Sequence, residues 1–180
     1  KLVKSSITLR SFQKRMAEGV PHGNVDEPTV RRLWWAALDT LQEEILQHMH
    51  ISGGIWLAAP LPALYAPKLL EVLQGWVWAP DELKNLHIPQ AGLLPPGRVR
   101  SMRQEYVSDT TVYNRFPLRI EDGNDPLLIL ITPEIQIALA LQGKPGQRKL
   151  LMRSDPGTFN DLLKLLDLRL NDESSNAALR

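Results

Sequence analysis

Leu127-Leu128-Ile129-Leu130-Ile131, then Thr132-Pro133-Glu134, then Ile135-Gln136-Ile137-Ala138-Leu139-Ala140-Leu141, is the stretch on which the fold class turns. The uninterrupted apolar run reads as a central strand buried on both faces. The segment around Pro133 reverses the chain. Ile135, Ile137, Leu139 and Leu141 then alternate with Gln136, Ala138 and Ala140, the period-2 pattern of a strand with one half-buried face. Adjacent strands joined by so short a turn pair antiparallel.

Outward toward the C-terminus, Lys144-Pro145-Gly146-Gln147 is a hairpin turn and Lys149–Arg153 returns as a strand. Asp155 then caps a final helix that buries Phe159, Leu162, Leu163, Leu166 and Leu170 along one face. That helix runs toward Asn171. The stretch Asn171-Asp172-Glu173-Ser174-Ser175-Asn176 is poor helix interior, so the end is either a helix resuming to Arg180 or a frayed tail. In the other direction, Glu121-Asp122-Gly123-Asn124-Asp125-Pro126 is a strong turn signal, preceded by a strand over Val112–Ile120.

The first half is helical. Ser11 caps a short basic helix over Phe12–Glu18. Asp26 and Pro28 open the clearest helix, where Val30, Leu33, Trp34, Ala37, Leu38, Leu41, Ile45 and Met49 recur at helical spacing. Trp35 and Leu46 fall outside that stripe and predict a second contact. Ile55–Ala58 reads as a strand, Lys68–Gln74 as a helix begun at Pro67, and Trp76-Val77-Trp78 as extended chain. The expected class is α+β: an antiparallel sheet of about four to six strands with flanking helices. The 180 residues form one domain, with a basic segment over 1–25, a Trp-rich helical half over 26–110, a β-meander with closing helix over 111–170, and a tail or output helix over 171–180. All five Trp lie in the first eighty residues, so the two halves build their cores differently. The proline-rich Ile88–Gly97 reads as a surface connection inside one domain, with a domain boundary as the alternative. The chain begins at Lys1 rather than Met, which predicts a piece of a longer protein.

Composition narrows the chemistry. No Cys is present, which excludes disulfides, thiolate catalysis and cysteine-held metal clusters. A formal charge of +1 supplies no global field toward nucleic acid or an anionic membrane. No apolar stretch is long enough to span a bilayer, and the expected setting is the cytoplasm. Gly92-Leu93-Leu94-Pro95-Pro96-Gly97-Arg98-Val99 has the glycine spacing of a phosphate loop, but two of its residues lack the N–H such a loop points at phosphate. His48 and His50 fall on different helix faces and read as cations near a helix end. The acidic pairs Asp122/Asp125 and Asp172-Glu173 read as solvated turn and surface. Neither a catalytic centre, a cofactor nor a metal site is expected.

Two groups of residues carry binding expectations. Trp76 and Trp78 project to one side of a strand, with Trp56 and Tyr65 near, and form either core or an aromatic pocket for a flat small molecule. Trp35 with Arg148 and Lys149 of the basic hairpin are candidate partner contacts, against the plainer reading of a strand edge protected by cations.

Phe116-Pro117-Leu118-Arg119-Ile120, Asp125–Glu134 and Ile137–Leu141 together resemble the N-terminal sensory regions, DICT and GAF-like in style, of cyanobacterial signal-transduction proteins such as histidine kinases. The resemblance implies a GAF-like sensory architecture that binds a small ligand or partner. It also implies a relay through the C-terminal helix to an effector domain on the same chain, with room for a homodimer. The cysteine by which many GAF-like domains attach a bilin is absent, so a covalent bilin is excluded. The expected function is non-catalytic sensing within a two-component system. The alternative is a protein-interaction or assembly factor using the Trp-rich helix face and the hairpin, and an enzyme with a dispersed site stands third.

Overall fold

A computed structural model describes residues 6–80 and 113–178. The expectations for Ile88–Gly97 and the glycine-spaced loop lie outside these residues, as do a helical turn expected over Asp81–Leu83, a loop expected at His87 and a basic cluster at Arg98, Arg100 and Arg103. The elements are α1 (Leu9–Met16), α2 (Glu27–Asp39), a π-helical turn (Thr40–Ile45), a 3-10 turn (Leu46–His48), β1 (Ile55–Ala59), α3 (Pro67–Val72), β2 (Gln74–Ala79), β3 (Asn114–Pro117), a second 3-10 turn (Ile120–Asp122), β4 (Leu127–Ile131), β5 (Gln136–Gln142), β6 (Lys149–Arg153) and α4 (Pro156–Ala178).

The strands form one six-stranded sheet in the order β3-β2-β1-β4-β5-β6. The class is α+β with six strands, but the sheet is mixed rather than wholly antiparallel. β4, β5 and β6 form the expected meander, with β1 antiparallel to β4. β1 and β2 are parallel, as are β2 and β3. The cause is local in the first pair. Two strands can run parallel only if the chain crosses back between them, and α3 makes that crossing.

Alternate residues divide between two cores. Trp56, Ala58, Val77, Leu128, Leu130, Leu139 and Leu141 face Val30, Trp34, Leu38, Leu41 and Leu46 of α2 and its continuation. Leu57, Ala59, Trp78, Leu127, Ile129, Ala138 and Ala140 face Leu9, Phe12 and Met16 of α1 and Phe159, Leu162 and Leu166 of α4. Helices thus cover both faces of the sheet, and among the described residues no helix is long and apolar enough to cross a membrane.

Three local departures from the sequence reading have physical causes. Asp26 caps α2 as expected, its carboxylate accepting from the Thr29 N–H at 2.8 Å. The apolar stripe then changes phase in the π turn, whose wider winding brings Leu46 into the core, 1% exposed, and leaves Ile45 39% exposed. The off-stripe position of Leu46 is this shift. The first helix begins at Leu9, not after Ser11, because its first N–H is received by a distant carboxylate, Asp122. Finally, α4 is continuous over 23 residues through the poor helix formers at its end. Arg169 and Glu173, buried on it, hold that stretch by tertiary contacts.

Gly75 stands opposite Trp56 in the β1/β2 register, and a Cβ there would lie 2.4 Å from the indole ring. Trp56 is fully buried and has no space to yield. Gly75→Ala is therefore expected to lower stability by about 1–3 kcal/mol, read as a fall of several degrees in Tm. An unchanged melting curve would show that the β1/β2 packing is looser than described.

Candidate functional site

The expected aromatic pocket does not form, because the sheet separates its members. Trp56 and Tyr65 belong to the core on the α2 face, while Trp76 and Trp78 belong to the opposite one. Trp76 and Trp78 do share a side, as their spacing requires. Trp56 stacks edge-on to Tyr113 with ring centroids 5.8 Å apart, and Trp78 lies 5.3 Å from Phe116. The Tyr65 hydroxyl donates to the Asp39 carboxylate.

Two cations of the basic hairpin, Arg148 and Lys149, are engaged within the chain, while Lys144 at its tip is exposed. Arg148 is 6% exposed. Its Nη2 donates to Asp125 Oδ1 at 2.7 Å and its Nη1 to the Gly143 carbonyl at 2.8 Å, while Nε faces Glu27 Oε2 at 3.0 Å. Lys149 Nζ donates to the carbonyls of Val20 at 3.3 Å and Pro21 at 3.1 Å. Lys149 thus holds the segment between α1 and α2 by its side chain, and Arg148 holds it by its backbone bridge to Val25. Trp35 remains half-buried beside Trp34 and the Pro60–Pro62 loop, which follows a cis Ala59-Pro60 peptide.

A concavity of about 740 Å³ opens elsewhere, where α1, the 120–125 turn and the β5–β6 hairpin meet. Arg10, Gln13 and Lys14 enter it from one side of α1, their spacing of three and four placing them on one helical face. His22, Gln142, Lys144 and Gln147 complete the walls. Gly123, at φ 74°, turns the chain so closely that the Arg10 guanidinium lies against it; a Cβ would sit 2.7 Å from Arg10 Nε. None of the residues expected to bind a ligand lines this cleft. The basic opening segment held its signal, but the meeting of α1 with the hairpin is a long-range event.

On the cleft floor stands Asp122, which belongs to a second, buried constellation. Contrary to the expectation of a solvated turn, it is 2% exposed. Its Oδ1 accepts from the Leu9 N–H at 2.9 Å and its Oδ2 from the Arg119 N–H at 2.8 Å. Arg169 of α4, fully buried, grips the same carboxylate with both terminal nitrogens, at 2.6 and 2.8 Å. Arg169 also donates to the Ile7 carbonyl at 2.9 Å and through Nε to Glu173 Oε1 at 2.8 Å. Its guanidinium carbon lies 5.7 Å from the Trp78 ring centre, and the indole N–H of Trp78 donates to the same Glu173 oxygen at 3.3 Å. Arg119 reaches Glu173 at 3.2 Å. Glu173, expected on the surface, is 7% exposed.

Burial pushes the Asp122 carboxyl upward, but the bonds from Arg169, Leu9 and Arg119 outweigh it and hold the group below the ordinary carboxylate range. Burial acts against the charge of Arg169 too, and its carboxylate partners again prevail, raising the group above its usual value. The pair therefore stays ionised at neutral pH. Its chemistry is that of a fixed link rather than a proton donor, and among the described residues no group of three His, Asp or Glu is placed to hold a metal ion.

No curated protein and no solved structure matches the chain. A family model does match, over residues 10–180, which include the cleft and the Asp122, Arg169 and Glu173 side chains of the buried link, and the chain belongs to that family, the domain of unknown function DUF8628.

Proposed function

We propose that this domain is a non-catalytic sensory or regulatory module of a cytoplasmic signalling protein. A small polar ligand seats in the cleft between α1 and the β5–β6 hairpin, and its binding is relayed through α4 to an effector such as a histidine kinase. One observation carries the reading: Asp122 is at once a lining residue of the cleft and the bidentate partner of Arg169 on α4. A ligand that shifts the 120–125 turn must move that carboxylate, and Arg169 cannot remain paired without following it. A ligand shifts such an equilibrium only by its differential affinity for two arrangements, and a bidentate buried pair has few intermediate geometries. The resemblance of the β4–β5 region to sensory regions of signal-transduction proteins supports the same reading. The interaction-factor alternative loses its basic anchors, since Arg148 and Lys149 are engaged within the chain.

The test is a thermal-shift screen of soluble metabolites followed by hydrogen exchange on the strongest binder. The expected result is altered protection both in α1 and in the Arg169–Ala178 stretch of α4. A screen without a binder, or a binder that leaves α4 exchange unchanged, overturns the relay.

A further inference from the structure

The lining of the cleft specifies the chemistry of its ligand, an argument that rests on the ligand-binding reading above. Its two acids are each neutralised from behind, Asp122 by Arg169 at 2.6 and 2.8 Å and Asp125 by Arg148 at 2.7 Å. The cations that face the concavity are not neutralised in this way. Arg10, Lys14 and Lys144 are exposed, and none of them makes an ion pair with another described residue. Three uncompensated positive charges around one concavity focus a potential that concentrates anions.

Between the cations the walls are neutral and polar. Gln142, Gln147 and Asn124 offer amide donors and acceptors together, the combination that matches hydroxyl groups. Gln13, 3% exposed, is fixed by its donation to the Asp125 carbonyl at 2.8 Å. Among the described lining residues there is no Trp, Tyr or Phe on which a purine or pyrimidine would stack. The volume of about 740 Å³ suits a small metabolite rather than a lone ion.

We propose that the cleft binds a soluble phosphorylated polyol of the sugar-phosphate class. Its phosphate lies among Arg10, Lys14 and Lys144, and its hydroxyls are held by the amides of Gln142 and Gln147. The same chemistry occurs on inositol lipid headgroups, so the experiment includes that source.

Isothermal titration of the whole chain with glucose 6-phosphate, glucose, inorganic phosphate and AMP separates the contributions. Glucose 6-phosphate is expected to bind about tenfold or more tightly than glucose or inorganic phosphate, with AMP no tighter than phosphate. Lys14→Gln and Lys144→Gln, both at exposed positions, should each weaken it about tenfold while leaving the circular dichroism spectrum unchanged. Raising salt should weaken binding as well. Glucose binding as tightly as glucose 6-phosphate overturns the phosphate assignment but leaves a ligand cleft standing, as does AMP binding more tightly than the sugar phosphate. Co-sedimentation with phosphatidylinositol phosphate vesicles without binding of the free sugar phosphate overturns the soluble class. Binding of none of these, together with no hit in the metabolite screen, removes both this assignment and the reading beneath it.

Discussion

Arg169→Met is expected to destabilise the domain by about 3–5 kcal/mol, the usual cost of removing one partner from a buried ion pair. The loss is large because Asp122 and Glu173 both depend on the missing guanidinium, and neither can turn to water: they are 2% and 7% exposed. Urea denaturation measures it as a lower midpoint at similar slope. The double variant Asp122→Asn with Arg169→Met should recover part of the loss. It removes the stranded charge yet keeps an oxygen for one of the two backbone donors, Leu9 N–H and Arg119 N–H, that Asp122 now serves. The acid limb supplies an independent reading. Asp122 has a folded pKa below its unfolded value, so its contribution is complete above an unfolded pKa of about 3.9 and is lost as pH falls through the lower folded value. Wild type should therefore lose stability on acidification below about pH 4, and Arg169→Met, already without the pair, should lose less over the same window. A penalty under about 1 kcal/mol, the range of exposed pairs, would show that water reaches the pair and that it is not the rigid link the relay requires.

How much of this was legible depends on the distance over which each feature is encoded. β6 is found at the expected Lys149–Arg153 and β4 at Leu127–Ile131, because alternation, apolar runs and turn residues act within a few positions. The Asp155 cap is equally local, its Oδ2 accepting from the Thr158 N–H at 2.9 Å. Parallel pairing of β1 with β2 and of β2 with β3 is not local, and an isolated strand pattern carries no direction. The buried link is harder still. An Asp in a turn beside Gly123 looks like any solvated turn residue, and only the fold brings Arg169, 47 residues later, onto it. The same limit explains the hairpin: its positive charge was visible, whereas the carbonyls of Val20 and Pro21 that satisfy Lys149 have no sequence signature. The cleft was half visible, since Arg10 and Lys14 stand one helical turn apart in a basic segment, but Lys144 joins them only when β5 and β6 close.

Gln42→Leu is the second substitution expected to cost several kcal/mol, for a reason the apolar stripe of α2 concealed. Gln42 is fully buried in the π turn, where its amide is used on both sides. Nε2 donates to the carbonyls of Leu38 at 3.3 Å and Ala63 at 3.2 Å. Oε1 accepts from the N–H groups of Tyr65 at 2.8 Å and Ala66 at 3.0 Å. The side chain thus serves the backbone of the 63–66 loop, just before α3, and anchors that loop to the helix. Leucine fills similar space but leaves two loop donors without an acceptor, at about 1–3 kcal/mol for each buried group left unsatisfied. The total expected for the two donors is about 2–6 kcal/mol, with faster hydrogen exchange at Tyr65 and Ala66. Gln42→Glu separates hydrogen bonding from shape. Its ionised carboxylate keeps the acceptors but faces two carbonyl oxygens with no proton to offer, so burial and repulsion both raise its folded pKa above the unfolded value of about 4.3. A group shifted in that direction costs stability where the unfolded chain is ionised, and the cost shrinks as pH falls toward that value. Gln42→Glu should therefore gain on wild type as pH falls toward about 4.3, opposite in sign to the acid loss carried by Asp122. Equal urea midpoints for wild type and Gln42→Leu, or a Gln42→Glu deficit independent of pH, would mean that apolar packing, and not this amide, anchors the 63–66 loop to the helix.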